Sequence, residues 1–316
     1  MNEPSTSKID PEHVKVLILG AGPAGLSAAL YAARADLQPL VLTGLQLGGQ
    51  VSLTNTIENY PGFPEGVGGV ELGELFQKQA ERFGARVLFD SAQSVDLSHR
   101  PFKVVADGGE YVADTLIIST GASPNLLKIP GETTLTGRGV SYCATCDGWF
   151  FKDKKVAVVG GGDSALEEGL FLTRYATSVT IIHRRDSFRA GAILQKRASD
   201  NPKVKVVWDT VVTDVIGDDK VESLKIKNTK SGESDIFKTD GLFIFVGNTP
   251  NTQMFSSQLE MVNGYIRVDD RLHTNVPGVF AAGESADAHF KQVITSAGMG
   301  AAAAMEATRF LEQGAV

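Results

Sequence analysis

Two stretches of this chain repeat one local grammar, and that repeat constrains the fold more than any other feature. Lys15-Val16-Leu17-Ile18-Leu19 is a short apolar run that enters Gly20-Ala21-Gly22-Pro23-Ala24-Gly25 and then a run of small residues through Ala33. Lys155-Val156-Ala157-Val158-Val159 leads in the same way into Gly160-Gly161-Gly162-Asp163-Ser164-Ala165 and a helical stretch through about Tyr175. Each reads as strand, glycine turn, helix, and each is followed by a second strand, over 39–43 and 179–183. Gly20 and Gly160 stand 140 positions apart in a chain of 316 residues, which is room for two dinucleotide-binding domains.

Further strands are expected at 86–89, 103–106 and 115–119, and again at 204–208, 223–228 and 241–246. Ser123-Pro124-Asn125 and Asn248-Thr249-Pro250-Asn251 break any regular element and are candidate hinges. A helix rich in alanine and glycine starts near Thr295 and runs to the end. With so little side chain it must be packed closely by a neighbour. The first thirteen residues are polar and read as a loose terminus or an extension. No apolar run is long enough to span a membrane and no signal peptide is apparent. The net charge of −7 gives no general pull toward nucleic acid or acidic membranes. Two cysteines cannot build a secreted disulfide framework, which points to the cytoplasm.

Glycine turns of this kind hold phosphate on the free N–H groups of the following helix. The second turn is followed by His183-Arg184-Arg185, with Arg189 four residues on. Where NAD would call for a ribose-binding acid there are guanidiniums, whose planar forks suit a 2′-phosphate, so NADP is expected. The first turn has neither acid nor arginine after its second strand, where Leu42-Thr43-Gly44 stand. That leaves another adenine dinucleotide, with FAD the first choice. Cys143-Ala144-Thr145-Cys146-Asp147 places two cysteines on one face of a helical turn, close enough for a disulfide. A helix N-terminus would favour thiolate, and Asp147 could carry a proton. Structural thiols or half of a zinc site are the alternatives, and no second CxxC exists to complete the latter.

These motifs resemble, over nearly the whole chain, those of the low-molecular-weight thioredoxin reductases. The similar stretches are 20–25, 48–50, 58–62, 119–122, 143–148, 160–168, 183–190, 245–252 and 294–304. The resemblance implies an α/β fold of two Rossmann-like domains, one for FAD and one for NADPH, with the NADPH domain inserted into a discontinuous FAD domain. The boundaries would be 1–123 and 250–316 for FAD, and 124–249 for NADPH and the CxxC. It implies FAD contacts from Gly20, Gly22, Pro23, Ala24, Gly25, Gly49, Gln50, Asn59, Thr120, Gly121, Ala122, Gly283, Glu284, Lys291 and Gln292. It implies NADPH contacts from Gly160, Gly162, Asp163, Ser164, His183, Arg184, Arg185, Arg189 and Gly247. Electrons would pass from NADPH through FAD to a Cys143–Cys146 disulfide, with Asp147 as acid–base catalyst and Cys146 nearer the flavin, and then to oxidised thioredoxin. A homodimer and a rotation of one domain against the other are part of the same expectation. Arg138, Trp149 and Phe150 would dock thioredoxin, ordinary core packing being the alternative for the two aromatics. The chain departs from the family at Glu284, usually Asp, and at Lys291, usually Arg.

Overall fold

A computed structural model describes residues 11–44, 46–54 and 56–314. The expected loose terminus falls mostly on residues 1–10, outside the described residues. Its last residues are not loose: β1 (Glu12–Leu19) begins three residues before the apolar run. The cause is a longer partner strand, which pairs with Glu12 and His13 through Tyr111 and Val112. His13 Nε2 also meets Asp114 Oδ1 at 2.9 Å, and Glu12 pairs with Arg86.

After β1 come α1 (Pro23–Arg34), β2 (Leu40–Leu42), α2 (Gly69–Glu81), β3 (Arg86–Leu88), β4 (Ala92–Asp96), β5 (Phe102–Ala106), β6 (Gly109–Ile118) and β7 (Ala122–Pro124). The middle third runs β8 (Val140–Ser141), α3 (Ala144–Asp147), β9 (Lys155–Gly160), α4 (Asp163–Leu172), β10 (Ser178–Ile182) and α5 (Ala192–Asp200). It continues with β11 (Val204–Val207), β12 (Thr210–Ile216), β13 (Ser223–Asn228), β14 (Ser234–Lys238), β15 (Gly241–Phe245) and β16 (Asn248–Pro250). The last third adds β17 (Met261–Val262), β18 (Tyr265–Ile266), β19 (Val279–Ala281) and α6 (Val293–Glu312).

The chain forms two compact units. One joins the segment up to Ser123 with that from Pro250 on, and the other is Pro124–Thr249. In the first, the sheet order is β3-β2-β1-β6-β5-β4, with β19 also on β6. Strands β3, β2, β1, β6 and β19 run parallel, while β4, β5 and β6 form an antiparallel meander. In the second, β11-β10-β9-β15-β8 is a parallel sheet and β12-β13-β14 a separate meander. Each unit therefore puts the strand before its glycine turn at mid-sheet, and the turn emerges at the carboxyl edge, where such sheets bind ligands.

Mid-sheet position explains the apolar runs. Strand β1 is covered on both faces: Leu17 and Leu19 join Phe102 and Phe255, while Val16 and Ile18 join the alanines of α1 and α6. Of the strands that sequence alone misses, β4, β12, β14 and the start of β6 lie in the meanders, while β7, β8, β16, β17, β18 and β19 are only two or three residues long. Strand β14 reads Ser-Asp-Ile-Phe-Lys with only Phe237 partly covered, so cross-strand pairing rather than an apolar run makes it a strand.

Close packing of α6 falls on α1. A Cβ at Gly300 would lie 1.9 Å from the Ala24 carbonyl oxygen, whereas at Gly298, two residues earlier on the same helix, it would meet nothing within 4 Å. Gly300→Ala must push two helices apart, at about 1–3 kcal/mol. Gly298→Ala should be neutral or stabilise by up to about 1 kcal/mol through helix propensity. Thermal unfolding of the two variants checks this, and equal melting temperatures would contradict it.

Candidate active site

The cysteine pair sits at the start of the four-residue helix α3, where Cys143 is the N-cap and its Sγ accepts the Cys146 N–H at 3.2 Å. Cys143 and Cys146 are joined as a disulfide, with 5.3 Å between their Cα atoms. Both thiols are thus used by one another, which removes the readings as free structural thiols or zinc ligands. Asp147 ends α3 and is half-buried. Ser141, buried at the end of β8, ties the turn together: its hydroxyl donates to Asp147 Oδ2 at 2.6 Å and accepts the Cys143 N–H at 3.1 Å. From α4, Glu168 Oε2 accepts the Ala144 N–H at 3.2 Å and so satisfies a donor in the first turn of α3.

Burial raises the Asp147 carboxyl above its ordinary range, and the Ser141 hydrogen bond works against that. The group therefore keeps its proton to higher pH than a solvated aspartate, as an acid serving a leaving thiolate needs. Trp149 and Phe150, directly after α3, are 50% and 40% exposed, which excludes ordinary core packing for them. Arg138 is exposed as well.

In the first unit the turn from Gly20 to Gly25 links β1 to α1. Gly22 is the N-cap of α1, no side chain caps the helix, Pro23 occupies its first turn, and no acid stands there. A Cβ at Gly22 would meet nothing within 4 Å, so there is open space beside the uncapped helix start, an arrangement that fits a pyrophosphate. Gly49 lies against Gly22, since its Cβ would come 3.3 Å from the Gly22 Cα. Gln50 Nε2 donates to the Ala122 carbonyl and, at 3.3 Å, to Glu284 Oε2. Asn59 Nδ2 reaches Gln292 Oε1 at 3.3 Å. Gln292 caps α6 in a box with Thr295. Thr120 bonds the Asn251 carbonyl at 2.7 Å, and Gly121 beside it has open space in front. Glu284 is raised by burial, with Lys291 opposing.

In the second unit Gly162 is the N-cap of α4, again with no side-chain cap. Asp163 stands in the first turn, but its Oδ1 accepts the Gly191 N–H at 2.8 Å. The Gly161 carbonyl accepts the Arg189 N–H at 2.8 Å, and the His183 ring fills the space a Gly161 side chain would need. Loop 183–191 is thereby folded over the glycine turn. His183 is buried with an unpartnered Nε2, and burial lowers its pKa. The guanidiniums of Arg184, Arg185 and Arg189 are exposed and have no hydrogen-bond or ion-pair partner among the described residues. Gly247, at φ +102°, follows β15, whose Phe245 pairs with Gly160.

The pattern of the pyridine nucleotide-disulphide oxidoreductases matches residues 14–303. Thioredoxin reductase from Rickettsia felis is 49% identical over 305 residues, covering 95% of this chain and 98% of that one. The Vibrio cholerae thioredoxin reductase is 47% identical, with 95% and 98% coverage. The crystal structure of thioredoxin reductase from Streptococcus pyogenes superposes with a TM-score of 0.91 at 41% identity, covering 96% of this chain and all of that one. The chain belongs to the low-molecular-weight thioredoxin reductases, within the pyridine nucleotide-disulphide oxidoreductase family.

Thioredoxin reductase motifs drew attention to Cys143, Cys146 and Asp147; Ser141 lies outside them, and Glu168, the last residue of the 160–168 stretch, was given no role, yet both hold the cysteine turn. The motifs passed over Asp287 too, whose carboxylate accepts the N–H groups of His289, Phe290 and Lys291 at 2.8, 3.0 and 3.1 Å. That Asp287 shapes the bend at Lys291, where φ is +53°. An aspartate a few residues ahead of a helix cap was its only trace in the sequence.

Removing the Ser141 hydroxyl leaves burial unopposed on Asp147, so the folded carboxyl should titrate at still higher pH. In Ser141→Ala the Asp147-dependent limb of the thioredoxin-reduction pH profile is expected to move upward. Asp147→Asn should lack that limb and be about 10²–10⁴-fold slower in the step. A limb unmoved in Ser141→Ala would show that the serine does not act through Asp147.

Proposed function

We propose that this protein is an NADPH-dependent thioredoxin-disulfide reductase that carries FAD in its first unit and binds NADPH in its second. The observation that carries the proposal is the Cys143–Cys146 disulfide, built against a half-buried Asp147, in the same unit as an unpaired arginine loop over a glycine turn. When bound, FAD supplies a two-electron relay between the nicotinamide and the disulfide.

The roles follow from where the chain puts its groups. The α1 N-terminus holds the flavin pyrophosphate, and the segment at Gly49, Gln50, Thr120, Gly121 and Glu284 lies beside it. The α4 N-terminus holds the NADPH pyrophosphate, and Arg184, Arg185 and Arg189 take its 2′-phosphate. Two electrons and two protons convert Cys143–Cys146 to a dithiol. One thiolate attacks the disulfide of oxidised thioredoxin and forms a mixed disulfide. The second then displaces it, restoring Cys143–Cys146 and releasing reduced thioredoxin, while Asp147 gives a proton to a departing thiolate. Trp149, Phe150 and Arg138 form the docking surface for thioredoxin. Because the inserted unit carries both the cysteines and the nucleotide loop, serving each in turn calls for a rotation at 123–126 and 248–252.

Homodimeric assembly in the cytoplasm completes this proposal and rests on the family resemblance. No helix among the described residues is long and apolar enough to cross a membrane.

Cys143→Ser or Cys146→Ser should abolish thioredoxin reduction yet leave NADPH-driven bleaching of the visible flavin absorption intact. Arg184→Ala with Arg185→Ala should lower the NADPH-over-NADH preference about 10–150-fold, the scale of charge-assisted hydrogen bonds. Steady NADPH oxidation with thioredoxin, and not with ferredoxin, is the direct assay. A protein that stays colourless with FAD supplied would overturn the proposal.

A further inference from the structure

Arg184, Arg185 and Arg189 stand beside two carboxylates that could quench them. Asp186 follows Arg185 in the chain, and Asp209 donates its own backbone N–H to the Arg185 carbonyl at 3.1 Å. Yet neither carboxylate is paired with an arginine. Both are held by Lys230, whose Nζ lies 3.3 Å from Asp186 Oδ2 and 3.0 Å from Asp209 Oδ2.

The lysine is brought there by the second unit's meander. It sits in the turn between β13 and β14, just after Thr229, whose N–H and hydroxyl both reach the Asp209 carbonyl at 2.6 and 2.9 Å. The Asn228 side chain accepts the Lys230 and Ser231 N–H groups, each at 2.9 Å, which fixes the turn. A hairpin remote in sequence is thus clamped to the backbone of Asp209, whose own N–H bonds the arginine loop, and its tip delivers one cation between two anions.

We infer that Lys230 is a specificity-determining residue for the 2′-phosphorylated nucleotide: by occupying Asp186 and Asp209, it keeps the guanidiniums of Arg184 and Arg185 free for phosphate. The inference rests on the proposal that those arginines bind the 2′-phosphate. Without Lys230, two carboxylates stand uncompensated next to Arg185, one on the following residue and one on the residue that bonds its carbonyl, and charge at that range is little screened by salt. They would repel the dianion and offer bidentate partners to the arginines.

Two readouts test it on the intact holoenzyme: KM and kcat for NADPH and NADH, and calorimetric binding of adenosine 2′,5′-bisphosphate beside 5′-AMP. Lys230→Ala should weaken NADPH and the bisphosphate about two- to fivefold, the scale of exposed charge pairs. NADH, 5′-AMP and kcat should be unmoved, and the effect should shrink as salt rises. Adding Asp186→Asn and Asp209→Asn to Lys230→Ala should restore bisphosphate affinity; Asn tolerates the positive φ of +49° at Asp209. Failure of that rescue would mean that Lys230 touches the phosphate itself, and this inference would be wrong. An unchanged NADPH preference in Lys230→Ala overturns it too. Arg184→Ala with Arg185→Ala, run in parallel, separates the levels. If that variant keeps its preference the arginine assignment falls with this one, and if it loses preference while Lys230→Ala does not, only this one falls.

Discussion

Backbone touches backbone where α1 meets its surroundings, and the first unit is organised by that closeness. A Cβ at Gly25 would lie 1.8 Å from the Gly20 carbonyl oxygen, and one at Gly300 would lie 1.9 Å from that of Ala24. The first contact seats α1 directly on the turn that ends β1, so its uncapped N-terminus points along the carboxyl edge of the sheet. The second lets α6 lie along α1 and bury Ala303, Ala304 and Ala307 in the same cluster as Ala28 and Ala32. Since α6 is capped by Gln292, beside Lys291 and Asn59, the C-terminal segment is delivered to the N-terminal turn, although Gln292 stands 270 positions beyond Gly22. A discontinuous unit of this kind can close only if the returning segment docks without side chains in the way.

At the cysteine pair the governing balance is electrostatic. An aspartate taken out of water costs free energy when charged, and burial alone would keep it neutral. The Ser141 hydroxyl restores part of the lost hydration with one short bond, and it also holds the Cys143 N–H. One side chain therefore fixes the acid and the first cysteine in a common frame. That is why a buried serine two residues ahead of the motif matters to the chemistry while contributing no reactive atom.

What could be read from the sequence, and what could not, divides along physical lines. The two βαβ units were legible because parallel strands at mid-sheet need apolar residues on both faces and the glycine turns need missing Cβ atoms. The redox pair was legible because two cysteines stood alone at helical spacing. The meanders were legible only in part: β5 and β13 showed as apolar runs, but strands such as β14 are held by hydrogen bonds to neighbours that sequence order does not reveal. Helix α5 escaped notice for a related reason: it buries only Ala198 fully, so its apolar stripe is too thin to stand out. The roles of Ser141, Glu168, Asp287 and Lys230 were not legible for another cause. Glu168 and Lys230 reach the backbone or a charge of a different segment, a pairing that exists only once the chain has folded, whereas Ser141 and Asp287 act within local turns that carry no apolar pattern.

Helix α4 shows how the second unit joins its two tasks. Its N-terminus opens at Gly162 on the glycine turn, with Asp163 bonded to the loop that carries the arginines. Five residues along the same helix, Glu168 accepts the Ala144 N–H in the first turn of α3. A helix of ten residues spans about 15 Å and bends little over that length. The glycine turn with its arginine loop and the cysteine turn are therefore mounted on one rigid element, each by its own hydrogen bond. A change of backbone at either turn must be absorbed locally or carried to the other through α4. The spacing between the glycine turn and the disulfide is in this way set by a single short helix rather than by the loops that bear them.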